Sequence, residues 1–373
     1  MISKLKVIEL ASVLAGPSVG QFFAELGAEV IKIENINTGG DVTRSWKGAG
    51  EQTDDRSAYF CSVNWGKKSL ALDLSKKEDQ AIVHKLVERA DIVIASYKPG
   101  DDKKLAVDYD TLSKINPALI YGQITGYGSD NSRVGYDAVL QAEAGFMYMN
   151  GEEGGPSLKM PVALIDVLAG HQLKEALLLA MLEKTVTNKG KHVEVSLIQT
   201  AVSSLANQAT NWLVAGQMPK KHGSAHPNIA PYGDVFFTKD KTEILLAVGN
   251  DRQFEDLCKI LNRESLAKDS LFNTNQKRVE NREQLNIQLQ KEFNLFYCDE
   301  LLNKINHAKI PAGVIQNLKQ VFEMPEAKDL LISSDELRGV RTFVGTTGRT
   351  PLLAPPHLGE HTIEILNAID NHQ

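Results

Sequence analysis

A basic excess, a cysteine framework and a long apolar run are all missing from this sequence. Lys and Arg total 41 against 47 Asp and Glu, a formal net charge of −6. Nucleic acid and anionic membrane surfaces are held by a cationic footprint, so neither is expected as a partner. The three cysteines, Cys61, Cys258 and Cys298, are far apart and odd in number, which argues against disulfide bridging or a clustered metal site. A reducing, cytoplasmic setting fits them. No run of about 18 apolar residues occurs, and MISKLKVIEL meets Glu9 before reaching signal-peptide length. No membrane span, anchor or export signal is therefore expected.

Several catalytic signatures are missing too. AGPSVG and GTTG lack the G-x-G-x-x-G or P-loop spacing that lets successive N–H groups cradle phosphate, so no nicotinamide or ATP site is expected. No G-x-S-x-G elbow occurs, which speaks against a hydrolase serine. His222 and His226 share one loop without flanking cysteine or carboxylate ligands, which reads as a solvated loop and not a metal site. Neither a bound metal nor a permanently bound cofactor is expected.

What is there is a chain of 373 residues, 42% hydrophobic and 24% charged, with ample material for a core. LKVIEL, then the helical spacing of PSVGQFFAELG stopped by Gly27, then AEVIKIE, make a strand, helix, strand unit. The alternation recurs in LALDL at 70–74, a helix over 75–90, DIVIASY at 91–97, a short helix near 110–116 and ALIYGQIT at 118–125. Such order predicts an α/β, doubly wound, mostly parallel Rossmann-like sheet. Long apolar helical patterns follow at 161–183 and 197–215, separated by KHVEVSL. Past Gly216 the segment GQMPKKHGSAHPNIAPYGD reads as a loop. VFFT and EILLAVG beyond it suggest a hairpin, and DRQFEDLCKIL, NREQLNIQLQKEF and DELLNKIN suggest surface helices. The expected division is a large domain at 1–215, a smaller α+β domain at 216–325 and a C-terminal segment at 326–373.

The stretch PVALIDVLAG places Asp166 in apolar surroundings. Asp166 could cap the helix that follows, satisfying free N–H groups at its start. It could instead be a partly desolvated carboxylate acting as nucleophile or base. Pattern alone favours the cap, and a helix N-terminus would stabilise the anion in either role. In SYKPGDDKKL, which follows a strand where open α/β sheets place their crevices, Lys98, Lys103 and Lys104 could face phosphates. Asp101 and Asp102 offset part of that charge, so a solvated loop is an equal reading.

The blocks KVIELASVLAGPSVGQFFAELGAEVIKIE, GGDVTR, AYFCSVNWGKKSLALDL, ADIVIASYKPG, NPALIYGQITGYG and GYDAVLQAEAG together resemble the family III CoA-transferases, which include formyl-CoA and carnitine CoA-transferases. The likeness continues through SAHPNIAPYGDVFFTKD, RVENREQL, IPAGVI and LGEHT, nearly the whole chain in order. It implies that Asp166 is the catalytic aspartate, passing through mixed anhydrides and an aspartyl-CoA thioester, with an acyl-CoA and a carboxylic acid as substrates. For CoA it implies the turn Val13, Leu14 and Ala15, then Asn35, Leu72, the loop Ser96, Tyr97 and Lys98, and Lys104. Tyr136 would lie beside the thioester. Arginine is common in the family at the positions of Asn35 and Lys104, and lysine offers a point charge where arginine offers a fork. Racemases of this fold carry GHD where GYD stands here, and Tyr136 is no base at neutral pH with a reference pKa near 10. An acyl-CoA racemase is thus the disfavoured alternative, and a CoA-binding protein without catalysis a third. The glycine loop of formyl-CoA transferase is reduced to AVGND at 247–251. The nearest branch is the one acting on succinyl-CoA and dicarboxylates such as glutarate, with His226, Asn228 and Gly249 as candidates for the acceptor pocket. The family also implies an interlocked homodimer.

Overall fold

A computed structural model describes residues 2–334, 336–345 and 351–371. Of the GTTG segment only Gly345 falls among them, so the reading of that motif lies outside the described residues. The chain forms two units, one from residues 1–146, 159–213 and 328–373 and one from 147–158 and 214–327. Residues 147–158, left inside the large domain by the sequence division, thus group with the second unit.

The first unit is built on six strands: β1 Lys6–Leu10, β2 Glu29–Asn35, β3 Lys68–Leu72, β4 Ile92–Ala95, β5 Ile120–Thr125 and β6 Lys191–Ser196. Their order is β3-β2-β1-β4-β5-β6, and every pair is parallel. This is the mixed α/β architecture with a Rossmann-like sheet that the alternation predicts, with KHVEVS added at its edge. Strands β4 and β5 are buried at every residue, as a parallel sheet with helices on both faces requires. Val7, Ile94 and Ile124 point to the face covered by helices Ala15–Glu25 and Leu164–Thr187. Ile8, Val93 and Tyr121 point to the other face, against helix Lys77–Val87 and the C-terminal helix Thr362–Asp370.

Several boundaries differ from the sequence reading. The first helix begins at Ala15, so Pro17 sits inside its first turn, where a missing N–H costs nothing. The third strand begins at Lys68, and the helical run 197–215 is broken into Leu197–Ser203 and Ala206–Leu213, with Ala206 at φ +50°. The tail contributes an unforeseen antiparallel hairpin, β10 Leu331–Ser334 with β11 Leu337–Val340. The second unit carries β7 Tyr232–Phe237, β8 Glu243–Ala247 and β9 Ala312–Val314, all antiparallel. The last comes from IPAGVI. Helices Asp251–Ile260, Arg282–Phe293 and Cys298–His307 pack Phe254, Leu289 and Leu301 into its core.

Two features of the first unit fix its geometry. Helices Ala15–Glu25 and Leu164–Thr187 approach so closely that a Cβ on Gly170 would lie 2.3 Å from Ser18 Oγ. A side chain at Gly170 would have to displace the Ser18 hydroxyl from its hydrogen bond to the Ala15 carbonyl. Beneath it, the wholly buried Lys32 donates to Glu9 Oε1 at 2.9 Å and to the Ala11 carbonyl at 2.7 Å, and ion-pairs with Asp41 at 2.9 Å. Burial alone would push Lys32 down, but Glu9, Asp41 and Glu34 together hold its pKa above the ordinary lysine value. Lys67 shares Glu9 through the other carboxylate oxygen at 2.7 Å and also donates to the Pro17 carbonyl and to Asn64. Among the described residues, no helix is long and apolar enough to cross a membrane.

Removing one partner of a buried ionic cluster strands the others. Lys32→Met is expected to lower unfolding free energy by about 3–5 kcal/mol, read by urea denaturation at neutral pH.

Candidate active site

Strands β1 and β4 are neighbours whose chains run off to opposite sides of the sheet, and open α/β sheets bind ligands outside the carboxyl ends of strands at such a switch point. A cleft of about 230 Å³ lies there. The turn after β1 forms one wall. In it Val13 has φ +74°, a strained conformation for a β-branched residue. Its N–H donates to both Asp41 oxygens at 3.3 Å, while Ser12 N–H donates to Ser96 Oγ at 3.3 Å. The strained turn is thereby tied to the Lys32 cluster on one side and to the β4 loop on the other.

Val13, Leu14, Ala15, Ser96, Tyr97, Lys98, Tyr136 and Asp166 all line this cleft. Eight residues named from the sequence are therefore gathered in one place. Tyr97 is pushed up to about 12, chiefly by burial, so its phenol stays protonated and neutral. Tyr136 stands at the N-terminus of helix Asp137–Glu143 with its ring more than half exposed. The other three expected CoA contacts do not line the cleft. Asn35 ends β2 with its side chain accepting from Asn37 N–H at 2.9 Å, a local turn. Leu72 pairs with Asn35 in register and is buried in the core. Lys104 is exposed and held by Asp101 at 2.9 Å, so its charge is partly spent locally. His226, Asn228 and Gly249 belong to the second unit. There the His226 ring accepts from Asn228 N–H at 3.1 Å and meets Tyr232 edge-on, and Gly249 N–H donates to Gln253 at 2.8 Å.

Asp166 is the third residue of helix Leu164–Thr187 and is 8% exposed. It is not the cap. The cap position falls on Ala163, whose side chain cannot accept, and the free N–H of Ile165 is instead taken by Asp137 Oδ1 at 2.7 Å. Asp137 is in turn held by Gln141 at 2.6 Å, and Gln141 also accepts from Met160 N–H. With Asp137 in the capping role, the Asp166 carboxylate has no hydrogen bond or ion pair among the described residues. Burial, and secondarily the charge of Asp137, raise its pKa from 3.8 to about 7. This is a carboxyl group kept half-ionised near neutrality in a cleft, the condition of a reactive nucleophile or base. Asp137 went unnoticed in the sequence although it follows Tyr136 directly in GYD, because its role is a contact across 28 residues.

No histidine lines the cleft among the described residues. The exposed group Asp54, Asp55 and His357 has ligand atoms within metal-binding reach of one another, yet Asp54 is engaged by Arg56, and Asp55 by His357, Arg44 and Leu358 N–H.

With this geometry in hand, comparison with known proteins is direct. Residues 2–362 match the family model described as CoA-transferase family III. This chain belongs to that family. The family III chain is 36% identical to the succinate–glutarate CoA-transferase of Agrobacterium fabrum, over 99% of this chain and 96% of the relative. It is 33% identical to the human succinyl-CoA:glutarate CoA-transferase, over 98% and 85%. A crystal structure of a CAIB/BAIF family protein from Brucella suis superposes with a TM-score of 0.88 at 37% identity, covering 99% of both chains. The resemblance read from the sequence blocks is thus correct at the family level.

A carboxylate whose folded-state pKa lies above its unfolded value opposes folding once it must ionise. Its proton is retained between pH 3.8 and about 7, so the folded state loses stability as pH rises through that window. Asp166→Asn removes the penalty. The variant is expected to be more stable than the parent at pH 8, by at most about 4 kcal/mol, with the difference vanishing toward pH 4. Thermal or urea unfolding at both pH values checks it.

Proposed function

We propose that this family III chain transfers coenzyme A from an acyl-CoA to a free carboxylic acid, with Asp166 as covalent nucleophile. The observation that carries the reading is the unpaired, desolvated Asp166 carboxylate in a cleft at the sheet switch point. An ionised Asp166 oxygen attacks the thioester carbon, the C–S bond breaks, and a mixed anhydride and CoA thiolate result. The thiolate attacks the Asp166 carbonyl carbon, giving the aspartyl-CoA thioester and releasing the donor acid. The acceptor carboxylate then attacks that thioester, forming a second anhydride with Asp166 and releasing the CoA thiolate. Thiolate attack on the acceptor's acyl carbon completes the exchange and restores the Asp166 carboxylate. Each step exchanges one acyl bond for another, and the dry surroundings protect the anhydrides from water.

The poor solvation that raises the Asp166 pKa also strips hydration from the nucleophile, so reactivity and a neutral-range pKa have one cause. The neutral Tyr97 phenol and the Tyr136 ring would flank the thioester, and Lys98 would meet a CoA phosphate as a point charge. Asn35 and Lys104 follow the same carboxyl edge of the sheet and would meet the far part of an extended CoA, while Leu72, its side chain in the core, would offer CoA only main chain. Both relatives described above are named for succinate or succinyl-CoA and glutarate, which supports a dicarboxylyl-CoA donor and a dicarboxylate acceptor. His226, Asn228 and Gly249 are the candidates for the acceptor's distal carboxylate.

A racemase would need a second base across the α-carbon; the other carboxylate lining the cleft, Asp137, is already held by Ile165 N–H and Gln141, and the relatives' names do not favour a racemase. We further propose an interlocked homodimer. Leu179, Leu182 and Val186 on helix Leu164–Thr187 are 67%, 65% and 84% exposed, a contiguous apolar stripe that calls for cover. A cytoplasmic setting is supported by three cysteines that are all free.

Incubation with succinyl-CoA and a panel of carboxylic acids tests the reading: new acyl-CoA species are expected, and α-proton exchange without transfer would overturn it. Asp166→Ala should lower kcat by about three orders of magnitude or more. Mass spectrometry should find CoA attached at Asp166 in the parent. Because only the ionised carboxylate attacks, kcat/KM should fall roughly tenfold per pH unit below about 7, measured from initial rates.

A further inference from the structure

A second cavity lies in the first unit at the opposite edge of the sheet from Asp166. It occupies about 310 Å³ between helix Lys77–Val87, helix Thr362–Asp370 and the segments of β1, β2 and β3 that they overlie. That volume is at the lower end of small-ligand sites, which run from about 300 Å³ upward. Its lining includes Lys6 at the start of β1, whereas the Asp166 cleft begins at Ser12 beyond the end of that strand.

The floor is aliphatic. Ile8, Ile31 and Ile365 come from two strands and the C-terminal helix, and Leu86 and Ile369 form the walls. The rim carries four cations, Lys6, Lys68, Lys85 and Arg89, and three acids, Glu29, Glu88 and Glu364. Lys68 is engaged by Glu29 at 3.0 Å and Glu364 at 2.7 Å. Among the described residues no carboxylate pairs with the side chains of Lys6, Lys85 or Arg89, and Glu88 is the one remaining acid on the rim. An aliphatic floor under a rim with a cationic excess of one charge suits a ligand with a hydrocarbon tail and a single anionic head.

We propose that this groove binds a medium-chain aliphatic carboxylate, one per chain, independently of the CoA cleft. The tail lies against Leu86, Ala368 and Ile369, above the buried Ile8 and Ile31, and the carboxylate meets Lys85 and Arg89. The inference rests on this cavity's lining and charge and does not depend on the catalytic role assigned to Asp166.

Isothermal calorimetry with decanoate below its micellar range tests it on the full-length parent. Saturable binding near one per chain is expected, unchanged by saturating CoA, with decylammonium failing to bind. Ala368→Trp should fill the groove and abolish the binding, and Lys85→Glu combined with Arg89→Glu should weaken it at least about tenfold, both with transfer activity retained. If Ala368→Trp fails to fold, the double charge reversal decides alone. Absence of saturable binding, displacement by CoA, equal binding of decylammonium, or undiminished binding by the charge-reversed variant would each overturn the proposal.

Discussion

The carboxyl edge of the large sheet depends on one buried ionic cluster. Lys32 on β2 and Lys67 before β3 clamp the two oxygens of Glu9 on β1, and Asp41 reaches in from the loop after β2. Three of its members also hold backbone. Lys32 fixes the Ala11 carbonyl, Lys67 the Pro17 carbonyl, and Asp41 the Val13 N–H. These atoms span the turn from β1 into the first helix, including its strained residue at φ +74°. A second set continues outward: Glu34 takes the Arg44 guanidinium on both oxygens and accepts from Asp41 N–H and Ser69 Oγ. Such clusters add little net stability over apolar packing, but their geometry is unforgiving. Here that rigidity holds one wall of the cleft in place.

The opposite wall is organised by the reverse principle, a charge left without a partner. Helix Leu164–Thr187 could have taken its cap from Asp166, which would have lowered that carboxyl's pKa and blunted it. Asp137 serves the helix end instead, from a neighbouring helix. The substitution has two consequences: Asp166 faces the cleft unpaired, and the anionic Asp137 nearby raises its pKa further. Gly170, one turn on, lets the helix settle against Ser18 and so sets the carboxylate over the β1 turn. The electrostatic penalty at Asp166 is one that the rest of the fold must offset.

Much of this was legible from the chain. The alternation of apolar runs with helical spacing gave five of the six sheet strands; the sixth, Lys191–Ser196, falls in KHVEVSL, which the sequence reading took only as a spacer between helices. The turn 13–15, the loop 96–98, Tyr136 and Asp166 were marked through resemblance to a family, and they converge in the cleft. Ranges slipped where one residue decides a boundary, as at Ala206, and where a strand is three residues long, as at Ala312–Val314. The placing of Asn35, Leu72 and Lys104 outside the cleft lining could not be foreseen, since it depends on where each strand ends and which local partner claims the side chain.

Periodicity and composition along the chain determined the class of fold, the absence of a cationic footprint and the presence of a carboxylate in an apolar stretch, because each is a local property. Whether that carboxylate capped a helix or stood free was not local. It was settled by Asp137 accepting the Ile165 N–H across 28 residues, and no pattern near Asp166 records that contact. The buried lysines tell the same story: in the sequence Lys32 and Lys67 resemble any others among 41 basic residues, and only the packing of three strands shows that they share one glutamate. Burial and long-range partnership turn ordinary ionisable residues into structural clamps or reactive groups, and both belong to the tertiary structure.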